Sequence, residues 1–246
     1  MKAPQCHPES EIAMRKFLLL AAAVAAALIV VPAPAATAAQ TINIAGSQAV
    51  LIAPAHPRGS VILMPGSDGD IRAGADGSIH HLRHELLTRT RSAYAARGLA
   101  VLLVDADVNL AAAVATMRNI KSPVTVIATS RGTLRVAHGI AAGARPDALV
   151  LISGFLTDQS GSAQNVVNIL GSPAKLPRTL IIHHRQDGCH LTRPAGVAPF
   201  IKWARGKARV VWLDGGSNAG NPCKARAHHG FAGLDARVVS LSARFR

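Results

Sequence analysis

Residues 123–133, with the sequence PVTVIATSRGT, decide the fold of this chain. The apolar and β-branched first half predicts a buried strand, and the small residues that follow Gly132 predict a helix. Ser130 then lies at the apex of a sharp strand–turn–helix. Ala128 and Gly132, two positions to either side, come close together in such a turn, which only small side chains permit. The turn lifts the Ser130 hydroxyl above the sheet edge, where the helix N-terminus favours a developing negative charge.

Similar apolar runs lie on both sides of this stretch and alternate with helical patterns, as in α/β folds. Further strands are predicted at residues 41–44, 49–52, 60–64, 100–104, 148–152, 179–183 and 208–212, and helices at 80–97, 109–119, 132–142 and 233–246. Strands that are apolar throughout indicate a mostly parallel sheet with helices on both faces. Reactive residues are therefore expected just after the carboxyl ends of the strands.

The first 39 residues differ from the rest of the chain. Two basic residues precede an apolar run over residues 17–31, and prolines and a small-residue stretch follow it. A basic segment, an apolar segment and an A-x-A-like end predict a secretory signal peptide over residues 1–39. An uncleaved anchor is the alternative, which the shortness of the run disfavours. If translation begins at Met14, residues 1–13 are an upstream extension.

Residues 40–246 have the length of one domain. They carry 24 Lys and Arg against 11 Asp and Glu without a long basic block, and aromatic residues make up 3% of the chain. So few aromatic side chains argue against a single-strand nucleic-acid binder, which needs stacking platforms. A basic surface without a dedicated partner is favoured. The alternative for an exported, periplasmic or secreted protein of this charge is a weak association with anionic envelope surfaces.

The pentapeptide A-T-S-R-G at residues 128–132 resembles the G-x-S-x-G nucleophile elbow of the α/β-hydrolase superfamily, with Ala in place of the first Gly. The segments HHRQDGC (183–189) and HHGF (228–231) resemble those of small exported bacterial members, the dienelactone-hydrolase and esterase-like proteins. The resemblance implies an α/β-hydrolase fold, Ser130 as nucleophile and no cofactor. Short connections leave no room for a large cap domain. A plain helix-capping role for Ser130 stays open.

The superfamily carries its triad in the chain order serine, acid, histidine. Asp187 follows the second strand after the nucleophile strand, which is the usual position of the acid, whereas Asp158 lies in a polar turn and is the alternative. His229 precedes Gly and Phe in the loop between the last strand and the last helix, and this His-x-aromatic pattern is frequent in the superfamily. His228 is the alternative base.

The resemblance also implies an oxyanion hole of two backbone N–H groups. One belongs to Arg131, which follows the nucleophile. Alignment of Pro65 and Gly66 with the usual His-Gly of the superfamily assigns the other to Ser67.

Two histidine clusters raise the alternative of a metal site. His183, His184 and His190 surround Asp187, and His80 and His84 share a face of the predicted helix at 80–97. Neither cluster has a recognised zinc-binding spacing, and adjacent strand residues point to opposite faces. The sequence therefore predicts no metal.

Cys189 and Cys223 are the two cysteines of residues 40–246. An even count in an oxidising compartment predicts a disulfide. If Asp187 and His229 share a hydrogen bond, their two loops are neighbours, within reach of this bridge.

Together these residues predict an exported serine hydrolase that cleaves a small-molecule or polymer-borne ester or thioester. The alternative from another class is a non-catalytic binding protein on the same fold, which holds an anionic envelope ligand. Ser, Asp and His in the superfamily's order favour the enzyme.

Overall fold

An eight-stranded sheet forms the centre of the computed structural model, which describes residues 38–246. The strands are β1 (Gln40–Ile44), β2 (Ser47–Ile52), β3 (Ser60–Met64), β4 (Ala100–Val104), β5 (Val124–Thr129), β6 (Ala148–Ile152), β7 (Arg178–His184) and β8 (Ala208–Leu213). They lie in the order β1-β2-β4-β3-β5-β6-β7-β8. β1, β2 and β4 pair antiparallel, and the six strands from β4 to β8 in that order are parallel. The predicted signal peptide lies almost wholly outside the described residues.

Helices cover both faces of the sheet, which confirms the predicted fold class. They are α1 (Leu86–Ala95), α2 (Leu110–Ile120), α3 (Gly132–Ala141), α4 (Val166–Leu170), α5 (Val197–Trp203) and α6 (Asp235–Arg244). Apolar side chains of α1 and α6 pack into one buried cluster, and those of α2, α3, α4 and α5 pack into the other. Within the described residues, no helix is long and apolar enough to cross a membrane.

The alternation of side chains along each strand explains why the central strands are apolar throughout. In β3, Val61 and Leu63 belong to the cluster under α1 and α6, whereas Ile62 and Met64 belong to the cluster under the other four helices. Successive side chains point to opposite faces, and here both faces are buried.

The helix predicted over residues 80–97 is wrong in its first part, because α1 begins only after Glu85. Glu85 Oε2 accepts hydrogen bonds from the backbone N–H groups of Leu87 and Thr88 in the first turn of α1, at 2.7 and 3.1 Å. Leu82, three residues earlier, has a φ of +52°, which no right-handed helix contains. His80 and His84 therefore share no helical face, and the geometric basis of that metal alternative is lost.

Candidate active site

Ser130 lies at the turn between β5 and α3, in a strained backbone conformation. Its φ is +48°, in the left-handed region that favours glycine, and its N–H donates to the carbonyl of Ile152 on the neighbouring strand at 2.9 Å. A Cβ on Gly132 would come within 2.4 Å of the Met64 carbonyl oxygen. Gly132 is therefore required because the turn packs against the end of β3. The predicted close approach of Gly132 to Ala128 is not the reason.

The Ser130 hydroxyl lies at one end of a series of hydrogen bonds. Ser130 Oγ is 3.0 Å from His229 Nε2, and His229 Nδ1 is 3.0 Å from Asp187 Oδ2. A carboxylate only accepts, so the His229 proton lies on Nδ1 and leaves Nε2 free to accept from the serine. Burial alone would raise the pKa of Asp187, but the hydrogen bond and charge of His229, with the Cys189 N–H, hold the pKa of that carboxyl below its ordinary value.

The two alternative triad residues lie elsewhere and have other partners. Asp158 Oδ1 accepts from the side-chain amides of Asn165 and Asn168, at 2.7 and 2.9 Å. The His228 ring stacks on that of His184, with centroids 4.2 Å apart. The geometry thus brings Asp187 and His229, and neither alternative, to Ser130.

Two hydroxyl groups that sequence reasoning missed hold the histidine in place. Thr192 Oγ1 lies 3.2 Å from Asp187 Oδ2 and 3.0 Å from His229 Nδ1. Ser153 Oγ donates to the His229 carbonyl at 3.0 Å. Thr192 lies in an irregular loop, so no local pattern distinguishes it.

His183 is fully buried and lies beside Asp187. Its Nε2 is 3.6 Å from Asp187 Oδ2, and neither ring nitrogen makes a hydrogen bond of normal geometry within the described residues. Burial lowers the pKa of His183 to about 4, against the opposing effect of Asp187. The ring is therefore neutral near pH 7.

The segment after β3 lies directly against the turn that carries Ser130. A Cβ on Gly66 would be 3.0 Å from the Cβ of Ser130, and Ser67 has a φ of +54°. Within the described residues, neither the Ser67 N–H nor the Arg131 N–H donates a hydrogen bond. Both groups are therefore available to a ligand. The Arg135 guanidinium donates to the Ser67 carbonyl at 3.2 Å and also to that of Pro65.

Glu85 links three parts of the site, and sequence analysis missed it because it expected a helical residue here. Glu85 Oε1 accepts from the Gly66 N–H at 3.2 Å and from the Thr129 hydroxyl. Its other oxygen caps α1. One carboxylate thus joins the residue before Ser67, the residue before Ser130 and the start of a helix.

The predicted Cys189–Cys223 disulfide is present. Cys189 lies two residues after Asp187, and its backbone N–H donates to Asp187 Oδ1 at 2.9 Å. Cys223 belongs to the loop that leads to His229. The bridge therefore joins the segments that carry these two residues.

A cavity of about 690 Å³ opens beside Ser130 and His229. Its walls include residues 81–85 before α1, the first residue of α1 and much of the loop at 219–226. Among the residues that the structure describes, no group of three or more His, Cys, Asp or Glu could hold a metal ion.

Comparison with known proteins identifies the fold. No protein-family model and no curated protein matches the chain. A dienelactone hydrolase from Anabaena variabilis superposes with a TM-score of 0.56 at 14% identity, over 87% of this chain and 97% of that one. An esterase from an Arctic intertidal metagenomic library gives 0.55 at 14% identity, over 85% and 93%. A serine hydrolase homologue from Coxiella burnetii gives 0.54 at 12% identity, over 84% and 95%. The described chain has the α/β-hydrolase fold, without a large cap domain.

Proposed function

We propose that this chain is a serine hydrolase that cleaves a carboxylic ester or thioester by acyl transfer to water. The observation that carries the proposal is the hydrogen-bonded series from Ser130 through His229 to Asp187, with both contacts at 3.0 Å. These distances suit proton transfer in each direction. Fold neighbours that include esterases and a dienelactone hydrolase support the same class of chemistry.

In the first half-reaction, Ser130 Oγ attacks the acyl carbon while its proton moves to His229 Nε2. Asp187 stabilises the imidazolium and holds the ring in orientation. The carbonyl oxygen becomes an oxyanion and accepts from the N–H groups of Arg131 and Ser67. Collapse of this intermediate breaks the bond to the alcohol or thiol, which leaves with the proton from His229.

In the second half-reaction, water attacks the acyl-serine. His229 takes one proton from the water and returns it to Ser130 Oγ as the acid departs. No step needs a metal or an organic cofactor.

Export is part of the proposal. It rests on the predicted signal peptide at residues 1–39, and the disulfide is compatible with an oxidising compartment. N-terminal sequencing of protein from the periplasm or medium tests it, with a mature start near residue 40 expected. Recovery of the full chain in the cytoplasm would contradict export.

A fluorophosphonate probe with p-nitrophenyl esters of rising chain length tests the activity. Ser130→Ala is expected to lose probe labelling and to lower ester turnover by several orders of magnitude, with an unchanged melting temperature. Ser92→Ala, on the exposed side of α1, is the matched control and should retain both. An unlabelled wild-type chain would favour the alternative of a non-catalytic binding protein.

Separate substitutions of the adjacent residues His228 and His229 test which of them is the catalytic base. His229→Ala is expected to reduce turnover about as severely as Ser130→Ala, because triad members act as a unit. His228→Ala is expected to have a milder effect, since its ring stacks on His184 and does not contact Ser130. The reverse ranking would transfer the role of base to His228.

A further inference from the structure

The charge of the cavity beside Ser130 is one-sided. Its volume of about 690 Å³ is typical of a small-molecule site. The lining residues with a permanent positive charge are Arg83, Arg131, Lys224 and Arg226. The acidic residue of the same lining is Glu85.

Among the residues that the structure describes, none of these four cations has an acidic partner. Within the described residues, they make no ion pair and no side-chain hydrogen bond. Some of the other arginines are ion-paired, such as Arg89, which lies 2.6 Å from an Asp235 oxygen. Unpaired cations around one concave surface leave a positive potential there.

The Glu85 carboxylate does not neutralise this potential by direct contact with the four cations. Its two oxygens accept hydrogen bonds from Gly66, Thr129, Leu87 and Thr88. The carboxylate is thus engaged with the protein, while the cations remain free for a ligand.

The four cations come from three separate parts of the chain. Arg83 precedes α1, Arg131 follows the nucleophile, and Lys224 and Arg226 belong to the loop that the disulfide joins to the acid segment. A surface charge run would be contiguous in sequence. Here the fold assembles the cations around the cavity that contains Ser130.

We propose that the substrate is a small ester that carries a carboxylate or similar anion close to the scissile bond. This inference rests on the proposed hydrolase function and specifies its substrate class. Arg83, Lys224 and Arg226 would bind the anion by charge-assisted hydrogen bonds, and the cavity would concentrate anions near Ser130. Apolar lining residues such as Leu86 and Phe155 would accompany the short hydrocarbon part of such an ester.

Two esters of nearly equal size test the proposal. The p-nitrophenyl monoester of glutaric acid carries a carboxylate where p-nitrophenyl pentanoate carries a methyl group. At low ionic strength, kcat/KM for the glutarate, corrected for its rate in buffer, is expected to exceed that for the pentanoate about tenfold or more. The preference should fall markedly in about 1 M NaCl, where screening shortens to about 3 Å.

Charge-removing variants locate the effect. Combined Arg83→Gln, Lys224→Gln and Arg226→Gln substitutions are expected to lower the glutarate-to-pentanoate ratio of kcat/KM about tenfold. Combined Lys202→Gln, Arg205→Gln and Arg237→Gln substitutions remove three exposed cations outside the cavity; this variant is the control for net charge and should leave the ratio unchanged. Arg131 is left intact because its backbone N–H belongs to the proposed oxyanion hole.

The outcomes distinguish failure of the anionic-substrate proposal from failure of the hydrolase proposal. Equal kcat/KM for both esters at low salt, with Ser130-dependent hydrolysis of each, overturns the anionic substrate and leaves the hydrolase in place. If neither ester is hydrolysed, calorimetry compares glutaranilic acid with neutral pentananilide. Tighter binding of the acid that the triple variant abolishes supports the anion site, and equal or absent binding overturns it.

Discussion

His183 and His229 both approach Asp187 Oδ2, Nε2 of the first at 3.6 Å and Nδ1 of the second at 3.0 Å. His183 is the buried neutral partner, and its pKa falls from 6.5 to about 4 on folding. Between these values the unfolded chain binds a proton that the folded chain does not. The free energy of unfolding therefore falls as pH falls through this window. The lowered pKa of Asp187 also makes the free energy of unfolding fall as pH falls, but only at pH values below the ordinary carboxyl pKa.

Acidification from about pH 6.5 to about pH 5 is expected to remove roughly 2 kcal/mol of stability through His183. Melting temperature measured across this range should fall less steeply in His183→Asn than in the wild type. His56→Asn, at an exposed position, is the control and should retain the wild-type slope. Equal slopes in the His183 variant and the wild type would show that burial of this ring does not govern acid stability.

At the scale of elements, the start of α1 couples helix capping to the site. Glu85→Gln leaves an amide group where the carboxylate accepted hydrogen bonds from Gly66, Thr129 and the first turn of the helix. We expect a stability loss of about 1 kcal/mol, as for a lost cap. We also expect a fall in kcat of about tenfold, larger than any change in KM, because Ser67 and Ser130 directly follow two of the residues that Glu85 holds.

Asn109→Ala is the matched control for this prediction. Asn109 caps α2 by accepting the Ala112 N–H at 3.0 Å and lies outside the cavity lining. Its loss should lower the melting temperature similarly and leave kcat unchanged. If the two variants lose kcat equally, the effect of Glu85 is one of stability alone.

The disulfide acts on two loops rather than on the sheet. Cys189→Ser combined with Cys223→Ser opens a loop with a sequence separation of 34 residues. A loss of about 3–4 kcal/mol in the free energy of unfolding is expected from chain entropy. Turnover should fall as well, because the loop before His229 contains many Gly, Asn and Pro residues and loses its tie to the acid segment.

Intact mass before and after alkylation, without reductant, first establishes that both cysteines are oxidised in protein from its native compartment. Two alkylated cysteines would contradict the bridge in vivo. Unchanged turnover and melting temperature after reduction would leave the triad in place but remove the role of the bridge in holding it.

At the scale of the whole molecule, the excess of basic residues predicts an electrostatic association with anionic surfaces. Residues 40–246 carry 24 Lys and Arg against 11 Asp and Glu. We expect this part of the chain to co-sediment with vesicles that contain anionic lipid at low salt, and to be released in about 0.5 M NaCl by screening. Vesicles of neutral lipid are the control. Binding to both kinds of vesicle, or to neither, would contradict an electrostatic association.

The sequence by itself determined the α/β fold class, most of the strand bounds and the serine at the apex of a turn. These features depend on local patterns, namely apolar runs, small residues and chain order. The prediction failed at residues 80–85, where helical spacing concealed a left-handed residue at Leu82 and a carboxylate cap at Glu85. It also omitted α4 and α5, which are only 5 and 7 residues long.

Only the tertiary structure decided which side chains meet. Ser130 and His229 are 99 positions apart, and Asp187 is 42 positions from His229. Chain order proposed these residues but left His228 and Asp158 as alternatives, because a one-residue shift in a loop leaves the local pattern intact. The contacts of Thr192, the hydrogen bonds of Glu85 with Gly66 and Thr129, and the convergence of unpaired cations are absent from any local pattern. They depend on how the parallel strands bring distant loops to one edge of the sheet, which is a property of non-local packing.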